Sequence, residues 1–181
     1  MKKLVIIILG ALCFQLSFSQ EAGKYRVGLE TGFFIPHDGG WGFPISLEGK
    51  YNIEDNMNIG IRGEYGEFIK HNSYSAKVIS FTGTYDYYYS NKNKLFSPFV
   101  GAGIGYYFCD AYDYSQEPGN EQSKYSNPTA FIRTGFEIGK FRTFLSYNLI
   151  RKHNEANYFN RNSDYISLNI GFYIGGGKWK K

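Results

Sequence analysis

This chain of 181 residues has few cysteines, few long apolar runs and a small net charge. One of its two cysteines, Cys13, lies in an N-terminal apolar stretch, so internal disulfides are excluded for the rest of the chain. Beyond that stretch, no run approaches the roughly 18 consecutive apolar residues of a membrane-spanning helix. Lysines and arginines number 20 against 16 acids. This near-neutral balance excludes the basic footprint of a nucleic-acid-binding protein, and no nucleic-acid partner is expected.

The N-terminus has the organisation of a secretory signal peptide. Two lysines begin it, an apolar run from Leu4 to Leu16 follows, and small residues precede Gln20. The run is shorter than the roughly 20 apolar residues that a membrane-spanning helix needs. We therefore predict a signal peptide over 1–19, cleavage between Ser19 and Gln20, and a single exported domain over 20–181.

Aromatic residues and glycine are abundant, with 17 Tyr, 16 Phe and 22 Gly. Disordered chains are poor in aromatics, and these residue types are mediocre helix formers, so both disorder and a helical bundle are excluded. From Tyr25 onward, apolar and polar residues alternate with a period of two, which is the side-chain period of a β-strand. The pattern predicts eight strands, over approximately 24–35, 42–53, 58–68, 77–89, 96–109, 129–139, 142–150 and 164–174.

Each predicted strand has two unlike faces. One face is apolar, aromatic and free of charge, as in Val27, Leu29 and Phe33 of the first strand. The other face carries glycines and small polar residues together with five bases and five acids. These ten charged residues are Arg26, Glu30, Glu48, Lys50, Arg62, Glu64, Asp86, Arg133, Glu137 and Arg142.

The predicted connections alternate in length. Those near 54–57, 90–94 and 139–141 are short, whereas 110–127 and 151–163 are long. Short turns at one end and long loops at the other are typical of an outer-membrane barrel. The first long loop is acidic and the second basic, so we expect them to pair over the external mouth and to offer a surface to an extracellular ligand.

Two assignments of the faces compete. A soluble lipocalin-like carrier would turn the apolar face inward, and a membrane barrel would turn it outward. The polar face carries too little charge for a water-facing surface, and the aromatic face would overfill an eight-stranded lumen. A lysine on a lipid-facing wall would cost about 2–4 kcal/mol, which explains the charge-free face. The sequence predicts an all-β fold, an eight-stranded antiparallel up-and-down transmembrane β-barrel closed between its last and first strands.

Two segments resemble strands of the small eight-stranded outer-membrane β-barrel family, of the kind that forms the membrane domain of outer membrane protein A. Segment 97–106, SPFVGAGIGY, is similar to its Gly-rich fifth strand, and 165–174, YISLNIGFYI, to its closing strand. The resemblance spans residues 25 to about 174. It implies the outer membrane of a Gram-negative envelope, contact with outer-membrane lipid and insertion by the barrel-assembly machinery. Family members often end on an aromatic assembly signal, for which Phe172 or Trp179 would serve here.

Catalysis is not expected from the histidines, which fall at 37, 71 and 153 in predicted external loops. Lipid A deacylase barrels carry a His-x-Ser-Asn motif near the final hairpin. His153 lies in about that place, but Glu155 replaces the nucleophilic serine. A lipid-modifying barrel enzyme is the main alternative function, and a lipocalin-like carrier is another.

No metal or cofactor is expected either. Asp110, Asp113 and Glu117 lack the spacing of a calcium-binding loop. The glycines at 101, 103 and 105 precede no helix, so they form no dinucleotide-binding turn.

Unpaired buried charge is very costly, so the ten charges are expected to form a network that plugs the lumen, with a gated, porin-like passage as the alternative. We expect a non-enzymatic protein for envelope structure, surface interaction or very restricted solute passage.

Overall fold

The computed structural model describes residues 20–37, 40–70, 74–89, 96–113, 121–150 and 164–177. The predicted signal peptide, the predicted loop 151–163 and Trp179 lie outside these residues. The expected pairing of loop 151–163 with loop 110–127 is therefore not described. Within the described ranges, no helix is long and apolar enough to cross a membrane.

Eight strands form a closed antiparallel barrel in which each strand pairs with its neighbours in sequence and β8 pairs with β1. This confirms the predicted up-and-down fold and its closure. The ladder that closes the barrel is long, running from Arg26 opposite Gly175 to Pro36 opposite Tyr165. The strands are β1 (Tyr25–Pro36), β2 (Trp41–Glu54), β3 (Met57–Lys70), β4 (Tyr74–Tyr88), β5 (Phe96–Asp113), β6 (Glu121–Ile138), β7 (Phe141–Ile150) and β8 (Tyr165–Gly175).

The two strand faces are placed as predicted. Along β1 and β2, exposed and buried residues alternate strictly over ten or more positions. The exposed positions are the apolar ones, including Leu29 at 57% and Ile61 at 73%. Because side chains alternate across a strand, the ten charged residues named above and most of the glycines and small polar residues point into the lumen.

The strands β5 and β6 are longer than predicted. They pair as far as Asp113 opposite Glu121, so the predicted external loop 110–127 is wrong at both ends and only 114–120 connects the two strands. Their outward face turns polar at Asp110, which lies opposite Lys124 with the ammonium 3.7 Å from the carboxylate. The hydrophobic alternation therefore ends while the backbone ladder continues.

The barrel has two unlike ends. The turn end holds both ends of the described chain and the connections after β2, β4 and β6, of two, seven and two residues. The loop end holds the connections after β1, β3, β5 and β7, of four, three, seven and fourteen residues. At the turn end, the segment before β1 folds under the barrel. The Glu21 amide donates to the Gly176 carbonyl at 2.6 Å, and the Ala22 amide donates to the Asp55 carboxylate at 2.9 Å.

Aromatic side chains fill the lumen at both ends, which the sequence did not predict. Near the turn end, Tyr88, Phe99 and Phe144 form one buried cluster. Near the loop end, Phe34 stacks on Phe68 with ring centroids 4.8 Å apart. The remaining members of this loop-end cluster are Val78, Tyr107, Cys109, Ile150 and Tyr165.

Candidate functional site

The ten charged residues named from the sequence all lie inside the barrel. They project from β1, β2, β3, β4, β6 and β7, and none is more than 5% exposed. Five bases face five acids, so the enclosed formal charge is balanced. They form three groups of contacts, centred on Asp86 and Glu48, on Glu137 and on Arg62.

Asp86 is the acceptor at the centre of the lumen. Arg133 donates to both of its oxygens, from Nε at 2.7 Å and from a terminal nitrogen at 2.9 Å. Lys50 donates to it at 2.5 Å and Arg142 at 3.1 Å. Three cations from three other strands therefore meet on one carboxylate, and such charge-assisted bonds are the strong ones.

Glu48 shares the same cations from the opposite side. Arg133 donates to its two oxygens at 2.7 and 3.3 Å. Lys50 and Arg142 lie 3.4 and 3.7 Å from it, and the Thr84 hydroxyl donates at 2.7 Å. Arg133 thus bridges Asp86 and Glu48 inside the lumen.

Glu137 closes the turn end. It accepts from Arg26 at 2.5 and 3.1 Å and from the Tyr88 hydroxyl at 2.6 Å. The buried Gln20 amide donates to it at 3.1 Å. Gln20 is the predicted first residue of the exported chain, so the segment that precedes β1 supplies part of the plug.

The third group lies nearer the loop end. Arg62 donates to Glu30 at 3.1 Å and lies 2.6 Å from Glu64. Ser46 donates to Glu30 at 3.1 Å, and Tyr165 donates to Glu64 at 3.0 Å. The Tyr165 ring also packs on Phe34, so this ion group is directly covered by the loop-end aromatic cluster.

Tyr173 joins the groups. Its hydroxyl lies 2.5 Å from both Glu30 and Glu48. A phenol carries one proton, so at any moment it donates to one carboxylate and meets the other through its oxygen. Its ring stacks under Arg26, whose guanidinium carbon is 4.3 Å from the ring centroid.

Sequence reasoning missed the inward tyrosines, although the strand period could have found them. Tyr88 is two residues after Asp86, and Tyr173 is two residues after the inward Gly171. Because side chains two apart share a face, both belong to the charged face. The sequence analysis assigned neither tyrosine to a face. The inward side chains need room, and several inward-facing glycines provide it.

These glycines stand where a side chain would collide with the plug. A Cβ at Gly28 would overlap the Tyr173 ring, one at Gly103 the Phe131 ring, and one at Gly101 the Asp86 carboxylate. This explains why β5, the strand between Asp86 and Arg133, contributes no charge itself.

The predicted loop histidines are mostly outside the described part of the chain. His37 is exposed at the loop end, and the other two histidines lie outside the described part of the chain. The described ranges contain no group of three or more His, Cys, Asp or Glu side chains able to hold a metal ion. What the arrangement can do is cross-link the strands and block the lumen.

Comparison with solved structures identifies the architecture. The chain matches Neisserial surface protein A (NspA) with a TM-score of 0.59 and 17% identity, over 83% of this chain and 97% of that one. It also matches the N-terminal β-barrel domain of Pseudomonas aeruginosa OprF, with a TM-score of 0.53 and 14% identity over 86% and 100%. The fold is that of the small eight-stranded outer-membrane barrels.

The same fold carries different activities. The outer membrane enzyme PagL matches with a TM-score of 0.53 and 13% identity, over 82% of this chain and 98% of that one. No protein-family profile matches the chain, and no curated protein matches it. Function therefore has to be argued from the site and not from the architecture.

Proposed function

We propose that this chain is an exported, non-enzymatic outer-membrane barrel whose charged plug closes the lumen. It would serve as a membrane-anchored envelope scaffold that presents its loop end at the surface and passes solutes only under tight restriction. The observation that carries this proposal is the bridging of Asp86 and Glu48 by Arg133 across the lumen.

The outward wall supports membrane insertion. On β5 the apolar outward face runs from Phe96 to Phe108, which is about 40 Å of strand. At a tilt of about 40° this spans about 30 Å, close to the apolar band of a membrane barrel. Exposed aromatics lie at both ends of the wall, as an interfacial girdle requires. The two-residue connections after β2 and β6 favour the turn end as the periplasmic side, and the fourteen-residue connection after β7 favours the loop end as the external side.

The lumen supports closure. Eight strands leave an interior just wide enough for side chains. Here that interior holds ten buried charged side chains together with aromatic rings near both ends. A water-filled path along the axis would have to displace buried ion pairs. The long hairpin of β5 and β6 extends the loop end, which favours it as the surface for an extracellular partner.

The closure can be tested by single-channel recording in planar bilayers. Replacing a matched acid and base, in the double variant Asp86→Ala, Arg133→Ala, removes the bridge without adding net charge. We expect resolved openings in this variant and none or very small ones in the wild type. The matched control is Glu67→Ala, Lys77→Ala, an exposed pair 3.8 Å apart on the outer wall, which should behave as the wild type.

Insertion is checked first, for every variant, by the gel mobility of the outer-membrane fraction before and after boiling. A closed barrel resists detergent and migrates differently until boiled. If the lumen variant does not fold, the double variant Arg62→Ala, Glu64→Ala tests the group nearer the loop end. An unchanged conductance in a folded lumen variant would overturn the plug, and a soluble protein without a mobility shift would overturn the membrane location.

A further inference from the structure

The outer wall of the barrel carries a groove that the plug does not explain. It has a volume of about 480 Å³ and crosses the β5 to β8 wall. It lies over two neighbouring outward-facing rows of paired residues. Val100, Thr134 and Leu145 form one row, and Ile132, Tyr147 and Ile166 form the other. The groove is lined by the outward side chains of Val100, Ile132, Thr134, Leu145, Tyr147 and Ile166.

Local side-chain geometry makes this part of the wall concave. Thr134 is small between Val100 and Leu145, and its hydroxyl folds back to donate to the Phe99 carbonyl at 3.2 Å. The Tyr147 hydroxyl donates to Asp164, the residue before β8 at the loop end, at 3.2 Å.

A second hollow, of about 390 Å³, lies next to the groove on its loop-end side. Ala130 and Leu149 line it and pair with each other one outward row beyond Ile132 and Tyr147. Asp164, the acceptor of Tyr147, lies in its lining. The two hollows lie over successive outward rows and are together called the track; it is apolar over the middle of the wall, and Asp164 lines it at the loop end.

This track needs an apolar occupant. Water in the groove would lack the two to four polar partners that hold a buried water molecule. An empty groove would leave its lining side chains without contacts on one side. In the proposed location, the surrounding medium is hydrocarbon, and a linear chain fits a groove that runs up the wall to a polar end.

We propose that the track binds one acyl chain of an outer-leaflet lipid, whose headgroup donates a hydrogen bond to Asp164. Each Asp164 oxygen already accepts one bond, from Tyr147 and from the Ile150 amide. A carboxylate oxygen can accept a second bond, so a headgroup amine or hydroxyl can be accommodated. This proposal rests on the membrane location proposed above.

Native mass spectrometry of the delipidated, detergent-folded protein, titrated with phosphatidylethanolamine, tests the site. Thr134→Phe fills the groove, and Val100→Trp fills it from the neighbouring strand. We expect one tightly retained lipid on the wild type and at least tenfold weaker retention on both variants. The matched control is Thr31→Phe, because Thr31 is also an outward-facing threonine whose hydroxyl donates to a neighbouring carbonyl, that of Pro44 at 2.9 Å.

The headgroup contact is tested with Asp164→Asn. Retention of phosphatidylethanolamine should fall about tenfold, whereas phosphatidylcholine, whose headgroup has no donor, should be unaffected. Wild-type retention in both groove variants, or an equal loss in Thr31→Phe, would overturn the lipid site. A wild-type dimer that Thr134→Phe dissociates would assign the groove to a second copy and would also overturn it. Failure of the wild type itself to show a heat-dependent mobility shift would instead refute the proposed function.

Discussion

Glu48→Gln is the sharpest test of the charge network, because it removes one charge while keeping the shape of the side chain. Glu48 is fully buried and faces Arg133, Lys50 and Arg142. After the substitution, five bases would face four acids in a space without solvent. The amide would also turn a donor toward groups that are themselves donors.

The expected magnitude follows from the burial of the pair. Removing one partner of a buried ion pair costs about 3–5 kcal/mol, since the remaining charge stays buried without compensation. The matched control is Glu67→Gln, on the outer wall. Glu67 is more than half exposed and lies 3.8 Å from Lys77, so its loss should cost about 0–1 kcal/mol. The same chemical change should thus give two clearly different stabilities.

Denaturant unfolding of the barrels in phosphatidylcholine vesicles, followed by tryptophan fluorescence and gel mobility, measures both values. The double variant Glu48→Gln, Lys50→Met restores the charge balance and should be less destabilised than Glu48→Gln alone. A loss below about 1 kcal/mol for Glu48→Gln would refute the inference that its charge is needed to balance the lumen. Simple addition of the two single effects would refute the coupling between Glu48 and Lys50.

Two further predictions concern packing and activity. Gly28→Ala places a methyl group against the Tyr173 ring and should destabilise the barrel by about 1–3 kcal/mol. Gly49→Ala should be close to neutral in the same unfolding assay, because nothing lies within 4 Å of its Cβ position; equal effects would show that the ring contact does not limit packing. Alanine variants of the three histidines should leave the acylation of lipid A unchanged in mass spectra of whole-cell lipid. If the wild-type chain alters lipid A acylation and one of these variants does not, the chain is a lipid-modifying enzyme.

The two-residue period of the strands predicted most of the fold. Because alternate side chains face opposite sides, the charge-free positions of β1 to β8 all belong to one wall, and the residue pattern alone assigns them to it. The membrane explains why this works, since one charge on the lipid-facing wall costs several kcal/mol. The same logic failed at Asp110 and Lys124, where the strands leave the apolar band and backbone pairing continues without a hydrophobic signal.

The candidate site was only half predictable. Strand parity placed Arg133, Asp86 and Glu48 on the inward face, but parity says nothing about height or about partners across the lumen. Those depend on the stagger of all eight strands, which is fixed when β8 pairs with β1. Tyr173 shows the consequence, since it reaches Glu30 and Glu48 only because closure brings β8 beside β1.

Sequence alone determined the number of strands, their inward and outward faces and the balance of five acids and five bases. These are local properties, set by the two-residue period and by the cost of charge in hydrocarbon. Tertiary structure decided which charge meets which, where aromatic rings cover the ion groups and where the outer wall is hollow. These are non-local properties, because each depends on side chains from several strands meeting across a barrel whose register no single strand encodes.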